Sequence, residues 1–184
     1  MTRRIVFWTN LDEAGSERAV FEETDEGWVI TGTYLIQIES ATEVRYELHL
    51  DASWVTQAAL VVVTDDVGER ALELVRVDGR WYRDGELLVL GDGCFDVDLA
   101  LSPATNTLPI RRLGLAVGEA VEVATAWVRV PELTVARSEQ RYERLSEDTY
   151  RFSSEGYSAT IDVDSFGIVT AYEGGWRAES IEED

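Results

Sequence analysis

GDGCFDVDLALSPATNTLPIRRLGL, residues 91–115, sets an alternating segment before a turn rich in hydroxyls and an amide, and then two adjacent arginines. Read as a strand from Cys94, the period of two puts Cys94, Asp96, Asp98 and Ser102 on one side and Phe95, Val97, Leu99 and Leu101 on the other. A core has no use for two carboxylates on one strand face. Asp96 and Asp98 are therefore either solvated or held by partners such as Arg111 and Arg112, and burial demands the second. Residues 108–113 have room for at most a short helix.

The same short, alternating rhythm runs through the rest of the chain. Fourteen candidate strands result: 5–9, 19–23, 27–38, 44–50, 57–64, 70–77, 80–83, 86–90, 95–101, 121–130, 133–145, 149–153, 158–164 and 168–172. Asp78-Gly79 and Asp84-Gly85 mark two tight hairpins, because both residue types tolerate the positive φ that two-residue turns require. No amphipathic helix of three turns and no Pro/Ser-rich linker interrupts the pattern. The reading is a single mainly β domain over 1–184, an antiparallel barrel or half-barrel with at most short helices. A weak repeat runs through it, dividing the chain at about 115. Ser16-Glu17-Arg18 followed by Trp28 is echoed by Ser138-Glu139-Gln140 followed by Tyr150, and the segment from Tyr46 to Asp51 by the one from Tyr157 to Asp162.

A formal charge of −20 on 184 residues, with all 16 basic residues arginine, repels nucleic acid and anionic headgroups. Cys94 is the only cysteine, which excludes an intrachain disulfide. The N-terminal apolar run is too short for a signal peptide, and no stretch approaches a membrane helix. The expectation is a cytoplasmic protein without stable membrane insertion. The acidic C-terminal AESIEED reads as a tail that frays.

The central run resembles the glycolipid-binding family that was once one of unknown function. The matching residues are Gly93-Cys94, Asp96-Val97-Asp98-Leu99, Ser102-Pro103, Thr105-Asn106 and the LPIRRL of 108–113, supported by Trp8, Gly27-Trp28, Tyr46, Trp54, Trp127, Glu139-Gln140-Arg141-Tyr142 and Gly175-Trp176-Arg177 in order. The resemblance implies a two-fold-repeated, antiparallel β-barrel or half-barrel, similar to bacterial lipoprotein carriers that shelter lipid chains in a concave sheet. It also implies a glycolipid or related amphiphile as partner.

The side chains allow several chemistries. Asp96 and Asp98 resemble the DxD pair of many glycosyltransferases, but a hard cation asks for more oxygen ligands. As a glycosidase pair they would stand about 7 Å apart and point the same way, against the opposed placement that mechanism requires. An ion-pair network with Arg111 or Arg112 is favoured. His49, the only histidine, shares a strand face with Glu47 and Asp51, and no GxSxG motif accompanies it. Cys94 reads as a small buried filler. Ser102, Thr105, Asn106 and Thr107 either lock their own turn or meet sugar hydroxyls. Among the six tryptophans, Trp54 is the first candidate for a cavity wall.

The candidate ligand-binding set is thus Asp96, Asp98, Ser102, Thr105, Asn106, Thr107, Arg111, Arg112 and Trp54. No residue is assigned to catalysis or to a metal, and no cofactor is expected. A homodimer is compatible with the sequence. Binding of an amphiphile leads; an enzyme using Asp96 and Asp98 on a glycoside or sugar phosphate, and a ligand-free interaction protein, stay open.

Overall fold

The computed structural model describes residues 1–37 and 40–184, so Ile38, the end of the expected third strand, lies outside the described residues. Eight strands come first: β1 (Arg3–Asn10), β2 (Gly15–Thr24), β3 (Gly27–Gln37), β4 (Ala41–Asp51), β5 (Thr56–Asp65), β6 (Gly68–Val77), β7 (Arg80–Arg83) and β8 (Glu86–Leu88). Then β9 (Cys94–Leu99), a 3-10 turn (Ala104–Asn106) and an α-helix, α1 (Thr107–Leu113), carry the two aspartates, the polar turn and the paired arginines. Six more strands complete the described residues: β10 (Ala120–Arg129), β11 (Thr134–Arg144), β12 (Thr149–Ser154), β13 (Tyr157–Val163), β14 (Val169–Tyr172) and β15 (Trp176–Glu183).

All fifteen strands belong to one sheet, ordered β8-β7-β6-β5-β4-β3-β2-β1-β15-β14-β13-β12-β11-β10-β9. Two antiparallel meanders, β1–β8 and β10–β15, are joined by the antiparallel β1–β15 ladder, and β9 adds parallel to β10. Among the described residues no ladder links β8 to β9, and the sheet forms a half-barrel without closing. The two flanks still touch through side chains. Trp81 Nε1 donates to the Cys94 carbonyl (3.0 Å), and Thr56 Oγ1 accepts from the Val97 N–H (3.3 Å).

Period-two alternation explains the strands. In β4, Thr42, Val44, Tyr46, Leu48 and Leu50 are buried, while Arg45, Glu47 and His49 face solvent. The main core draws on both meanders, from Val6 and Phe21 to Val128 and Trp176. At the hairpins, Asp78 (φ 50°), Gly79 (78°), Asp84 (50°) and Gly85 (84°) all take left-handed backbone, as the sequence implied. Helix α1 tolerates Pro109 because it falls in the first turn, and it stops at Gly114 (φ 54°), whose N–H returns to the Ile110 carbonyl.

The C-terminus is a correction. Instead of fraying, Trp176–Glu183 forms β15 against β1, and Asp184 donates its N–H to the Arg3 carbonyl (3.0 Å). The acids that looked like a solvated tail meet the N-terminal arginines: Arg4 with Glu183 at 2.9 Å and Arg3 with Asp184 at 3.0 Å.

The similar sequence segments fall on the second, third and fourth strands of the two meanders: β2 and β11, β3 and β12, β4 and β13. They differ in phase. Glu17 points inward in β2, whereas its counterpart Glu139 is exposed and Ser138 and Gln140 are buried.

Candidate functional site

At the end of β9 the chain leaves the sheet through Leu101 (φ 71°) into the 3-10 turn. That departure opens a cavity of about 570 Å³ between β9, the turn and the second meander. Asp98, Ser102, Asn106, Ser138 and Gln140 give it polar groups. Trp127, Phe152, Tyr157, Tyr172 and Trp176 supply aromatic walls, and Asp12, Glu13 and Glu155 contribute further acids.

The polar groups form a directed chain. Asn106 Nδ2 donates to the Tyr142 hydroxyl (2.9 Å), and that hydroxyl donates to Gln140 Oε1 (3.4 Å). Gln140 Nε2 in turn donates to Asp98 Oδ2 (2.6 Å), while Thr105 Oγ1 donates to Oδ1 (3.2 Å). Asp98 is the terminal acceptor. Burial raises its pKa above the usual carboxylate value, and the bonds from Gln140 and Thr105 oppose that rise.

Behind Ser102 lies a second carboxyl, Glu17 of β2, fully buried. Its Oε1 accepts from Ser102 Oγ (2.8 Å) and from the Tyr46 hydroxyl, and its Oε2 has no partner. Burial pushes its pKa up to about 8, against the lowering effect of the two hydroxyl bonds. Gly32, directly opposite Tyr46 on β3, leaves room for the tyrosine ring, which any Cβ there would overlap.

The sequence candidates separate into three places. Asp98, Ser102 and Asn106 line the cavity, with Thr105 behind Asp98. Asp96 does not share that role. It is fully buried on the β9 face toward α1, gripped by Arg112 through Nη2–Oδ2 (2.6 Å) and Nε–Oδ1 (3.0 Å). Desolvation raises the Asp96 pKa and the Arg112 pair opposes that rise. The expected lock of both aspartates by arginine thus holds for one of them, because Asp98 is satisfied by an amide and a hydroxyl instead. Arg111 leaves this region altogether: Nη1 donates to the Phe166 carbonyl (2.9 Å), and the guanidinium sits 4.1 Å from the Phe166 ring centre and 5.0 Å from that of Trp54. Trp54 stacks on Trp28 (4.7 Å) within this aromatic group and does not line the cavity. Thr107 is fully buried in the first turn of α1, with Oγ1 unpartnered.

Sequence reasoning missed Glu17, Gln140 and Tyr142. A signal existed for each. Glu17 is in phase with Ala19 and Phe21, and Gln140 with Ser138 and Tyr142, so polar groups occupy inward positions on both strands. His49 does sit beside a carboxylate, 2.7 Å from Glu47 on the exposed face, and Cys94 is buried with its thiol pKa raised chiefly by desolvation. Among the described residues no group of three His, Cys, Asp or Glu side chains is placed to hold a metal, and no helix is long and apolar enough to cross a membrane.

The sequence profile of the family described as "Putative glycolipid-binding" matches residues 5–178. The chain belongs to this family. The glycolipid-binding assignment is joined by structural likeness to a crystal structure of a DUF1089 family protein from Pseudomonas aeruginosa, 34% identical, with a TM-score of 0.77 over 86% of this chain and 89% of that one. A β-barrel-like DUF1849 protein from Brucella abortus covers 100% of this chain and 97% of its own at TM-score 0.55 and 11% identity, a likeness of fold alone. No functionally curated protein matches the sequence.

Proposed function

We propose that this member of the glycolipid-binding family binds a glycolipid or related amphiphile, with its sugar against Asp98, Gln140, Asn106 and Ser102. One observation carries the reading: a single cavity combines a hydrogen-bonded carboxylate and amides with five aromatic side chains. Sugars present hydroxyl edges and apolar faces together, and the two kinds of surface in this cavity match them. The roles of Asp96, Arg111, Arg112 and Trp54 are then structural. A carboxylate pair acting on a glycoside finds no support, since Arg112 occupies Asp96 and that residue does not line the cavity.

The test is thermal unfolding with octyl glucoside and with octanol as the sugar-free counterpart. The glycoside should stabilise the protein, by about 2.7 kcal/mol at a hundred times its dissociation constant. Octanol should give little, and Gln140→Ala should abolish most of the difference. Equal shifts from both compounds, or none from either, refute the reading.

A further inference from the structure

If the cavity binds a sugar, the premise on which the proposal below rests, its charge selects among sugars more sharply than its shape does. Among the described residues, every charged side chain that lines it is acidic: Asp12, Glu13, Asp98 and Glu155. The sequence holds no lysine, and its one histidine is exposed on β4. The arginines nearest in sequence are committed elsewhere, Arg112 to Asp96 and Arg111 to the Phe166 carbonyl. Asp98 therefore faces the cavity with a neutral amide and a neutral hydroxyl as its donors. A carboxylate in a low-dielectric cleft attracts an ammonium and repels phosphate, sulfate or carboxylate. Tyrosine and tryptophan rings line the same cavity and can add to the attraction for a cation, because their ring quadrupoles are negative at the face; the Trp127 ring already holds the Arg129 guanidinium in this way, 4.4 Å from its centre.

We propose that the cavity takes a headgroup carrying an amine among its hydroxyls, as an amino sugar does, and excludes anionic glycolipids. The ammonium pairs with Asp98 against the aromatic walls, and Gln140 and Asn106 meet the hydroxyls.

Three amphiphiles with one alkyl chain separate the possibilities: octyl glucosaminide, octyl glucoside and octyl glucuronide, titrated by calorimetry below their micelle concentrations at physiological salt. The glucosaminide should bind about tenfold tighter than the glucoside, and the glucuronide about tenfold weaker. Asp98→Asn should bring the glucosaminide-to-glucoside ratio close to one, whatever it costs the affinity for the glucoside itself. Glu86→Gln on β8, outside the cavity and with the same change in net charge, should leave the ratio unaltered. Equal binding of glucosaminide and glucoside, tighter binding of glucuronide, or a ratio that falls as far in Glu86→Gln as in Asp98→Asn overturns the inference while the sugar-binding reading stands. If none of the three binds, that reading fails as well. The wild-type order of affinities decides the matter even if Asp98→Asn does not fold.

Discussion

Replacing Glu17 by Gln should make the protein more stable at alkaline pH and nearly unchanged at pH 5. The side chain is fully buried, its Oε2 meets no partner, and its pKa rises from 4.5 to about 8. A carboxyl whose folded pKa is raised binds its proton more tightly in the native state, so stability falls as pH climbs between the two values and levels off above the higher one. Well below 4.5 both states are protonated and the residue has no pH effect on stability. Between pH 5 and pH 8 the wild type should therefore lose about 3–4 kcal/mol through this group alone, at 1.36 kcal/mol per pKa unit. Glutamine copies the protonated acid: its carbonyl still accepts from Ser102 and Tyr46, and its amide takes the place of the O–H. The difference between variant and wild type isolates Glu17 from every other titrating group. Urea and thermal unfolding of both proteins at several pH values from 5 to 9 measure it, and in the thermal scans the gap should appear at pH 8 as a melting-temperature difference on the order of 10 °C. Parallel stability profiles across that range would show that Glu17 ionises freely, and would refute the reasoning.

Two further predictions concern neighbours of the site. Asp96→Asn should cost about 3 kcal/mol in urea unfolding, because it leaves the Arg112 guanidinium, whose side chain is 14% exposed, without its counter-charge; pairing it with Arg112→Met should recover much of the loss, and additive costs would show that the ion pair is incidental. Gly32→Ala should destabilise by about 1–3 kcal/mol and steepen the pH dependence of Glu17, since the new methyl displaces the Tyr46 ring whose hydroxyl bond holds the buried carboxyl's pKa down; a variant with wild-type stability and pH profile contradicts this.

The strands are legible where local rules govern them. Alternation from Thr42 to Leu50 is unambiguous, and the Asp-Gly pairs place their turns to the residue. The sequence pattern carries β9 two residues too far because Leu101 continues the apolar phase while its backbone turns away. β15 is hidden because Glu179, Glu182 and Glu183 make its second half read as a solvated tail and its partner strand lies at the other end of the chain, so nothing nearby announces the ladder. In the site, Asp98, Ser102 and Asn106 come from one continuous run, where proximity in sequence becomes proximity in space. Gln140 and Tyr142 reach the same cavity from β11, a juxtaposition set by sheet order. Trp54 shows the same limit from the other side: its size marks it for an enclosed place, but only the fold decides between the cavity and the cluster with Trp28 and Phe166.

The β1–β15 ladder has a kinetic meaning. Each meander pairs neighbours in sequence and can form from local contacts, but the seam between them joins Arg4 to Glu183 and Asn10 to Trp176. Closing a loop of that length costs about 5 kcal/mol of chain entropy, and the seam's own contacts offset it only when both halves are in place. During synthesis, β1 therefore waits with one edge unpaired until β15 emerges from the ribosome. Arg3 and Arg4 sit on that waiting edge, and their charge discourages another chain from adding there first.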